Sequence, residues 1–425
     1  MEPNTAEQPP QMHAYLGELE DVEHPVHSYF AEGAVVKLPL IYLPDIVLFP
    51  GDDLPLRMLS EANIESIRNQ LSSEGAVLAV LSPHQGDVAF GTTVRIERFS
   101  VTHGCASVTG AAKQRFRLKN ARRYGRESVA AVEILPHPRP PRVPFPAFPL
   151  QQLRTLDASE SSQQQTLPPQ KRRRHQAMRV YEQRFTGYWG SHAYALYDTK
   201  QLVQRIVDLF ISSTHWTWFR NGSSTNTNDS ATMLHYLTQP SEHEHDPSIF
   251  AYWVAGNLPL DRDNRLTLLK IDCIVRLLRV EIEILEQFGD NIYCSGCGAF
   301  LAHTRDIFSM TTYGAGGTFV NPGGNVFQIL TLRDIHLERV LIDVVRSTQD
   351  SWFPGYSWSI VYCNSCYRHL GWQFDVVDSA CTHPARFYGF RRNALTQSYN
   401  EEQHQLQHAE GYFSHSDDED EDDDM

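Results

Sequence analysis

Apolar residues first fall into a regular rhythm near Leu38. From there LPLIYLPDIVLFPGDDLPLRM gives short hydrophobic runs cut by Pro44, Pro50, Gly51 and Pro55, the pattern of strands joined by tight turns. Ser60 then caps SEANIESIRNQLSSEG, in which Ile64, Ile67 and Leu71 recur at helical spacing before Gly75 closes the segment. AVLAVL, FGTTVRIERFSV and QRFRLKNARR return to alternation rich in β-branched and aromatic residues. Residues 38–135 therefore read as a small β-rich domain with one helix. Residues 1–34 are polar, carry no such rhythm and read as a disordered leader.

The pattern changes at PHPRPPRVPFPAFP and the Gln- and Ser-rich stretch behind it, which make residues 136–175 a linker or long loop. Helical periodicity follows in YEQRFTGYWGSHAYALYDTKQLVQRIVDLFISS, with Leu202, Ile206 and Leu209 on one face. A stronger helix is predicted over 263–288, where Leu266, Leu269, Ile274, Leu277, Leu278, Ile284, Leu285 and Phe288 form a broad stripe. The stripe reads as core packing in a helical bundle; a face that docks a partner is its other use.

Composition narrows the function classes. At 425 residues, with 41% hydrophobic and 21% charged residues, the chain suits two or three globular domains. It has no apolar run of membrane-spanning length, and its first residues lack a secretory pattern, so neither membrane nor secretion is expected. The formal net charge is −14, of which residues 417–424 supply eight, leaving about −6 elsewhere. A broad nucleic-acid-binding face is not expected from that balance. The basic run at 171–174 reads as a solvated loop or a nuclear import signal, and the expected location is nucleus and cytoplasm.

The chemistry-bearing pattern is a pair of CxxC turns, Cys294-Ser-Gly-Cys297 and Cys363-Asn-Ser-Cys366. Two intervening residues let both thiolates of a turn face one ion, and two turns complete a tetrahedral S₄ zinc site. A disulfide framework conflicts with a reducing compartment, and a redox dithiol would occur once within a βαβ unit. The site should hold one structural Zn²⁺, with no open coordination position and a β-rich domain between the two knuckles. Cys105, Cys273 and Cys381 stay unassigned, Cys273 reading as a packing residue.

Around the second knuckle, SWFPGYSWSIVYCNSCYRHLGWQF crowds Trp352, Trp358 and Trp372. A tryptophan cluster is core or cage. The Pro354-Gly355 turn between the first two rings should leave them partly exposed, which favours a cage for a flat neutral ring or a quaternary cation. A cation would need a convergent carboxylate, with Asp350 and Asp375 in reach; a neutral imide or lactam would need only backbone groups beside Trp352.

At these residues the chain resembles the cereblon family, substrate receptors of cullin-RING ubiquitin ligases. The resemblance runs from the LPL…LFPG…LPL opening, similar to the Lon-protease N-terminal domain, through FGTTVRIERF and QRFRL to CxxC…NPGG…STQDSWFPGYSW…CxxC…GWQF. It implies a multidomain α+β architecture: a β-rich Lon-N-like domain with an inserted helical bundle, then an all-β zinc-binding (β-tent) domain. The implied spans are a leader over 1–34, the Lon-like unit over 35–288 with its bundle from about 176, the zinc and imide-binding CULT unit over 289–398, and a disordered acidic tail over 399–425. The resemblance further implies that the bundle docks the ligase's β-propeller adaptor. Trp352, Trp358 and Trp372 would enclose a thalidomide-type glutarimide or the C-terminal cyclic imide of a protein substrate. Phe374 would be the floor, Asp350 and Ser351 would contribute backbone contacts to the imide, with Ser351 on the contacting strand, and Asn321 and Pro322 would lie in the loop closing over the ligand. Vertebrate relatives carry His where this chain has Gly323 and Asp350.

Two enzyme readings fail on the residues. The zinc-knuckle fold also resembles methionine sulfoxide reductases of the B type, but ARFYGFRRNAL, where their nucleophile would sit, has no cysteine. No Gly-Lys dipeptide supplies the phosphate loop of a Lon-type protease. The chain is expected to be non-catalytic, with an aromatic-cage reader of methylated lysine as the competing assignment.

Overall fold

The computed structural model describes residues 13–22, 29–71, 76–82, 89–102, 104–124, 127–139, 197–213, 215–220, 246–310, 314–377 and 384–397. Residues 140–196, which hold the expected linker beyond its first four residues, the basic run at 171–174 and the start of the expected bundle, lie outside these residues, as do Cys381 and the acidic tail.

The first unit is a sheet of β1 (Glu20–Asp21), β2 (Val35–Tyr42), β3 (Asp53–Met58), β4 (Val77–Leu81), β5 (Phe90–Thr102), β6 (Cys105–Tyr124) and β7 (Glu127–Ile134). Its order is β1-β5-β4-β2-β7-β6-β3, and a further β5–β6 pairing closes five of the strands into a ring. Closure leaves fewer open edges to protect. The strand β4 runs parallel to β2 and is buried on both faces, with Leu78 and Val80 in one core and Val77, Ala79 and Leu81 in another. That explains why AVLAVL is continuously apolar. The helix α1 (Glu61–Leu71) starts just after Ser60 and buries Ile64 and Ile67.

The expected leader is ordered in part. Residues 20–21 add to the sheet edge opposite Phe99 and Arg98, and the short 3-10 turn Ala14–Leu16 packs elsewhere, as described below. Ordered strand also begins at Val35 rather than near Leu38. Periodicity could not reveal this, because a two-residue strand and one turn are shorter than any repeat.

Five helices lie between the strand units among the described residues: α2 (Thr199–Ser212), α3 (Thr217–Arg220), α4 (Pro247–Asn257), α5 (Arg262–Lys270) and α6 (Ile274–Gln287). The single helix expected over 263–288 is thus two. The break at 271–273 is held by Arg115 of β6, whose Nη1 donates to the carbonyls of Leu269 and Ile271 at 2.8 and 2.6 Å, and whose Nη2 donates to that of Pro136. A helix end needs partners for its last carbonyls, and a buried guanidinium supplies them here. Cys273 occupies the N-cap of α6 without a side-chain cap bond and is half-buried.

The C-terminal unit joins a six-stranded antiparallel sheet, β10-β11-β15-β14-β13-β12, to a three-stranded sheet, β16-β8-β9. Their spans are β8 (Asn291–Cys294), β9 (Phe300–His303), β10 (Gly316–Val320), β11 (Val326–Leu332), β12 (Val340–Ile342), β13 (Tyr356–Cys363), β14 (His369–Val376), β15 (Arg386–Arg391) and β16 (Leu395–Thr396). Alternation assigns the two faces of the larger sheet. Val361, Cys363, Leu330, Leu332 and Phe390 face the helices and share one core with Ile206, Phe210, Leu277 and Leu278. Trp358, Ile360, Trp372, Phe374 and Phe387 face the other way into an aromatic cluster.

The units are pinned across their junction by polar groups. The Gln328 side-chain amide both accepts from Val47 N–H and donates to its carbonyl, and the buried Arg392 donates to the carbonyls of Gly256 and Leu258 at the end of α4.

Candidate zinc centre and aromatic site

The turn after β8 presents Cys294 and Cys297; the turn after β13 presents Cys363 and Cys366. All four Sγ atoms lie within 4.8 Å of one another, with Cys294–Cys366 at 3.6 Å and Cys297–Cys363 at 3.5 Å. Four sulfurs about 2.3 Å from a tetrahedral centre would sit about 3.8 Å apart, so the spacing fits zinc and is far too long for S–S bonds. Burial pushes the Cys294 thiol up and that of Cys297 to about 11, a cost that a divalent cation reverses. The four cysteines form one structural zinc site tying the three-stranded sheet to the six-stranded one.

Backbone geometry repeats at the two knuckles. Gly298 N–H donates to Cys294 C=O and Tyr367 N–H to Cys363 C=O, and both residues are left-handed, at φ 69° and 56°. Glycine meets that requirement without strain; Tyr367 does not.

The sequence-assigned ligand residues converge only partly. Trp352 and Trp372 meet edge to face with centroids 4.6 Å apart. Trp358 shares their sheet face, paired with Phe374, while Trp372 pairs with Ile360, so Trp358 and Trp372 are diagonal neighbours. Trp352 and Trp372 are 8% and 9% exposed, which corrects the expectation that Trp352 is partly open; Trp358 is half-buried. Trp352 is covered because Phe319 stacks on it and Phe327 approaches from the side, while its indole N–H donates to Val320 C=O at 3.0 Å. Phe374 is buried, stacked on Phe387 and edge-on to Phe353. Ser351 stands in the turn before β13 rather than on a strand, its hydroxyl donating to Phe353 C=O, because the Pro354-Gly355 reversal interrupts strand pairing there. Asn321 and Pro322 form the β10–β11 hairpin turn, in which the Asn321 side chain accepts from Asn325 N–H.

Neither carboxylate expected in reach of the cage is available to it: Asp375 lies on the face of β14 opposite Trp372 and Phe374, which corrects that expectation, and both acids are paired with arginine. Asp375, which is 7% exposed, receives Arg346 at 2.5 Å, Arg386 at 2.6 Å and Gln373. Burial alone would raise its pKa, but those donors hold it below the usual carboxylate range. Asp350 is left-handed, at φ 52°, and pairs with Arg57 of β3 at 3.2 Å.

Three neighbours of the site escaped sequence reading. Phe327 lies edge-on to Trp372 at 5.1 Å. Arg57 also donates to Tyr15 C=O, and the Tyr15 hydroxyl accepts from Val320 N–H, so the 14–16 turn is clasped between barrel and zinc unit. Phe327 was findable as the second residue after the NPGGN turn, whereas nothing in the polar leader marks Tyr15.

One cluster looks hydrolytic and is not. Asp246 and Ser248 both meet His137 Nε2, at 2.6 Å each, and Ser248 is fully buried. A catalytic triad needs the acid on Nδ1 and the nucleophile on Nε2; here Asp246 and Ser248 only begin α4.

Comparisons with known proteins bear on both units. Residues 37–287 match the family of the ATP-dependent protease La (LON) substrate-binding domain. Residues 291–410 match the family described as Yippee zinc-binding/DNA-binding/Mis18, centromere assembly. Protein cereblon of Danio rerio is 32% identical over 409 residues, covering 91% of this chain and 86% of that protein. Protein cereblon of Xenopus tropicalis is 30% identical, covering 91% and 83%. The N-terminal domain of Mycobacterium avium complex Lon protease overlays with a TM-score of 0.35 at 12% identity, over 59% of this chain and 99% of that one, too low to weigh. With a Lon-type substrate-binding unit joined to a zinc unit and a third of its residues shared across nearly the whole of a relative, the chain belongs to the cereblon family.

Proposed function

We propose that the chain is the non-catalytic substrate receptor of a cullin-RING ubiquitin ligase, working in nucleus and cytoplasm. Its zinc unit, residues 289–398, takes a C-terminal cyclic imide or a thalidomide-type glutarimide between the tryptophans. The helices of the preceding unit, residues 35–288, hold the β-propeller adaptor. Recruitment then makes ubiquitin transfer by the partner enzymes effectively intramolecular.

The observation that carries this reading is a tryptophan site to which neither candidate carboxylate, Asp350 nor Asp375, is available. Diagonal cross-strand positions stand about 7 Å apart, roughly twice an aromatic contact distance of about 3.5 Å, so one flat ring fits between Trp358 and Trp372. Asp375 is bound to Arg346 and Arg386, and Asp350 to Arg57, so neither of these two carboxylates is left for a quaternary ammonium. That favours a neutral ring over methylated lysine, the competing occupant.

The test is reconstitution. The full chain, mixed with the propeller adaptor and the cullin-RING core, should co-elute with them and promote ubiquitination of a protein ending in a cyclic imide. The same protein with an ordinary C-terminal carboxylate should stay unmodified. Co-elution failure, or equal modification of the two substrates, would overturn the proposal.

A further inference from the structure

The zinc unit carries an exposed apolar edge that none of the contacts described so far uses. Strand β12 is the last strand of the six-stranded sheet and pairs only with β13 among the described residues. It and the residues that follow read Leu341-Ile342-Asp343-Val344-Val345, with Leu341 41%, Val344 97% and Val345 68% exposed. Natural sheet edges are shielded by lysine, proline or bulges; this one offers β-branched and aliphatic side chains. Asp343 N–H bonds to Ile360 C=O and Asn364 N–H to Arg339 C=O. In an antiparallel ladder bonded residues alternate, so Val340 and Ile342 turn their N–H and C=O groups to the open side.

The edge is continuous with the tryptophan site. Ser347 and Trp358 exchange both backbone hydrogen bonds, at 3.0 and 2.7 Å, so the segment leaving β12 runs directly beside the outer tryptophan. Arg346, one residue earlier, is tied to Asp375 behind the same sheet face. Val340–Ile342 is extended; after a bend at Val344, where Val345 N–H turns back to the Asp343 carboxylate, the segment rejoins β13 at Ser347 beside the cage.

We propose that β12 is a strand-addition site for the polypeptide preceding a substrate's C-terminal ring. The ring enters between the tryptophans, and the residues upstream pair in extended form with Val340 and Ile342, placing apolar side chains beside Leu341 on one face and Ile342 on the other. Main-chain bonds supply affinity for any extended segment, and the exposed aliphatics select apolar, β-prone ones. The substrate class is thus a ring-terminated, β-prone C-terminal tail rather than any chain with the terminal ring. This rests on the cage reading above.

The experiment titrates the full-length protein with three probes: a free glutarimide, an eight-residue Val/Thr-rich peptide ending in a cyclic imide, and that peptide N-methylated at alternate amides. The plain peptide should bind at least tenfold tighter than the glutarimide, and N-methylation should abolish the gain. Ile342→Pro, which removes one edge N–H, should erase the gain, and Leu341→Lys should reduce it, both leaving glutarimide affinity and zinc content unchanged. If glutarimide binds but the plain peptide gains nothing, or if both variants keep the gain, the edge proposal is overturned and the cage stands. If glutarimide does not bind at all, the cage reading falls and the edge proposal falls with it. Concentration-dependent dimerisation lost in Ile342→Pro would give the edge to a second copy and overturn the proposal as well.

Discussion

Single residues carry the chemistry, and their legibility followed residue type. Four cysteines at CxxC spacing name a metal because few other arrangements of thiols are useful, and the Sγ cluster within 4.8 Å agrees. The tryptophans were legible as a group but not as a shape: Trp352 is covered by Phe319 and Phe327, whose strands pair through the β10–β11 hairpin. Tyr367 is the residue where a local rule is broken. It is 71% exposed and left-handed at the position where the first knuckle has Gly298. Tyr367→Gly should relieve strain without losing packing, raising stability by about 1 kcal/mol, while Gly298→Ala should lower it by about the same. Chemical denaturation of the two zinc-loaded variants checks this, and equal effects of one sign would contradict the assigned backbone conformations.

At the scale of elements, periodicity located α2 and the α5–α6 stretch but could not show where the latter breaks. The cause lies in Arg115, on a strand more than a hundred residues earlier, whose guanidinium satisfies the freed carbonyls. The sequence pattern of α6 also hides a conflict. Glu281 sits among its apolar residues, fully buried, with neither carboxyl oxygen hydrogen-bonded, and burial raises its pKa well above the carboxylate range. A buried polar group without a partner costs about 1–3 kcal/mol. Glu281→Leu should therefore stabilise the protein by about that much and raise its melting temperature by several degrees. A fall in melting temperature would mean that the carboxyl has a structural partner after all.

At the scale of the molecule, the two-unit plan was legible because each unit has its own alphabet: Pro-punctuated strands first, cysteine knuckles and tryptophans later. Their apposition was not, since it depends on Arg57, Gln328, Arg392 and the 14–16 turn, which meet only in three dimensions. That turn has a titratable partner. His13 is 6% exposed, and burial, then the Arg98 charge, depress its pKa from 6.5 to about 4. A depressed histidine contributes stability that is fully present above 6.5 and lost as pH falls toward 4, because the released turn binds the proton more readily. Docking of residues 13–16 should weaken over that window by up to about 3 kcal/mol. Hydrogen exchange at Leu16 and Gly17, whose N–H groups bond within the turn, should accelerate relative to the sheet as pH is lowered, and His13→Gln should blunt the change.

The central claim is that a zinc-fixed tryptophan site on this chain receives a neutral cyclic imide. Its most direct test is calorimetric titration of the zinc-loaded, full-length protein with a glutarimide and, separately, with a trimethyllysine peptide, for wild type and Trp358→Ala. Saturable glutarimide binding, lost in Trp358→Ala and absent for the trimethyllysine peptide, is the predicted result. Binding of the trimethyllysine peptide in preference to the glutarimide would contradict the account, since it would require a free carboxylate where Asp350 and Asp375 are already paired.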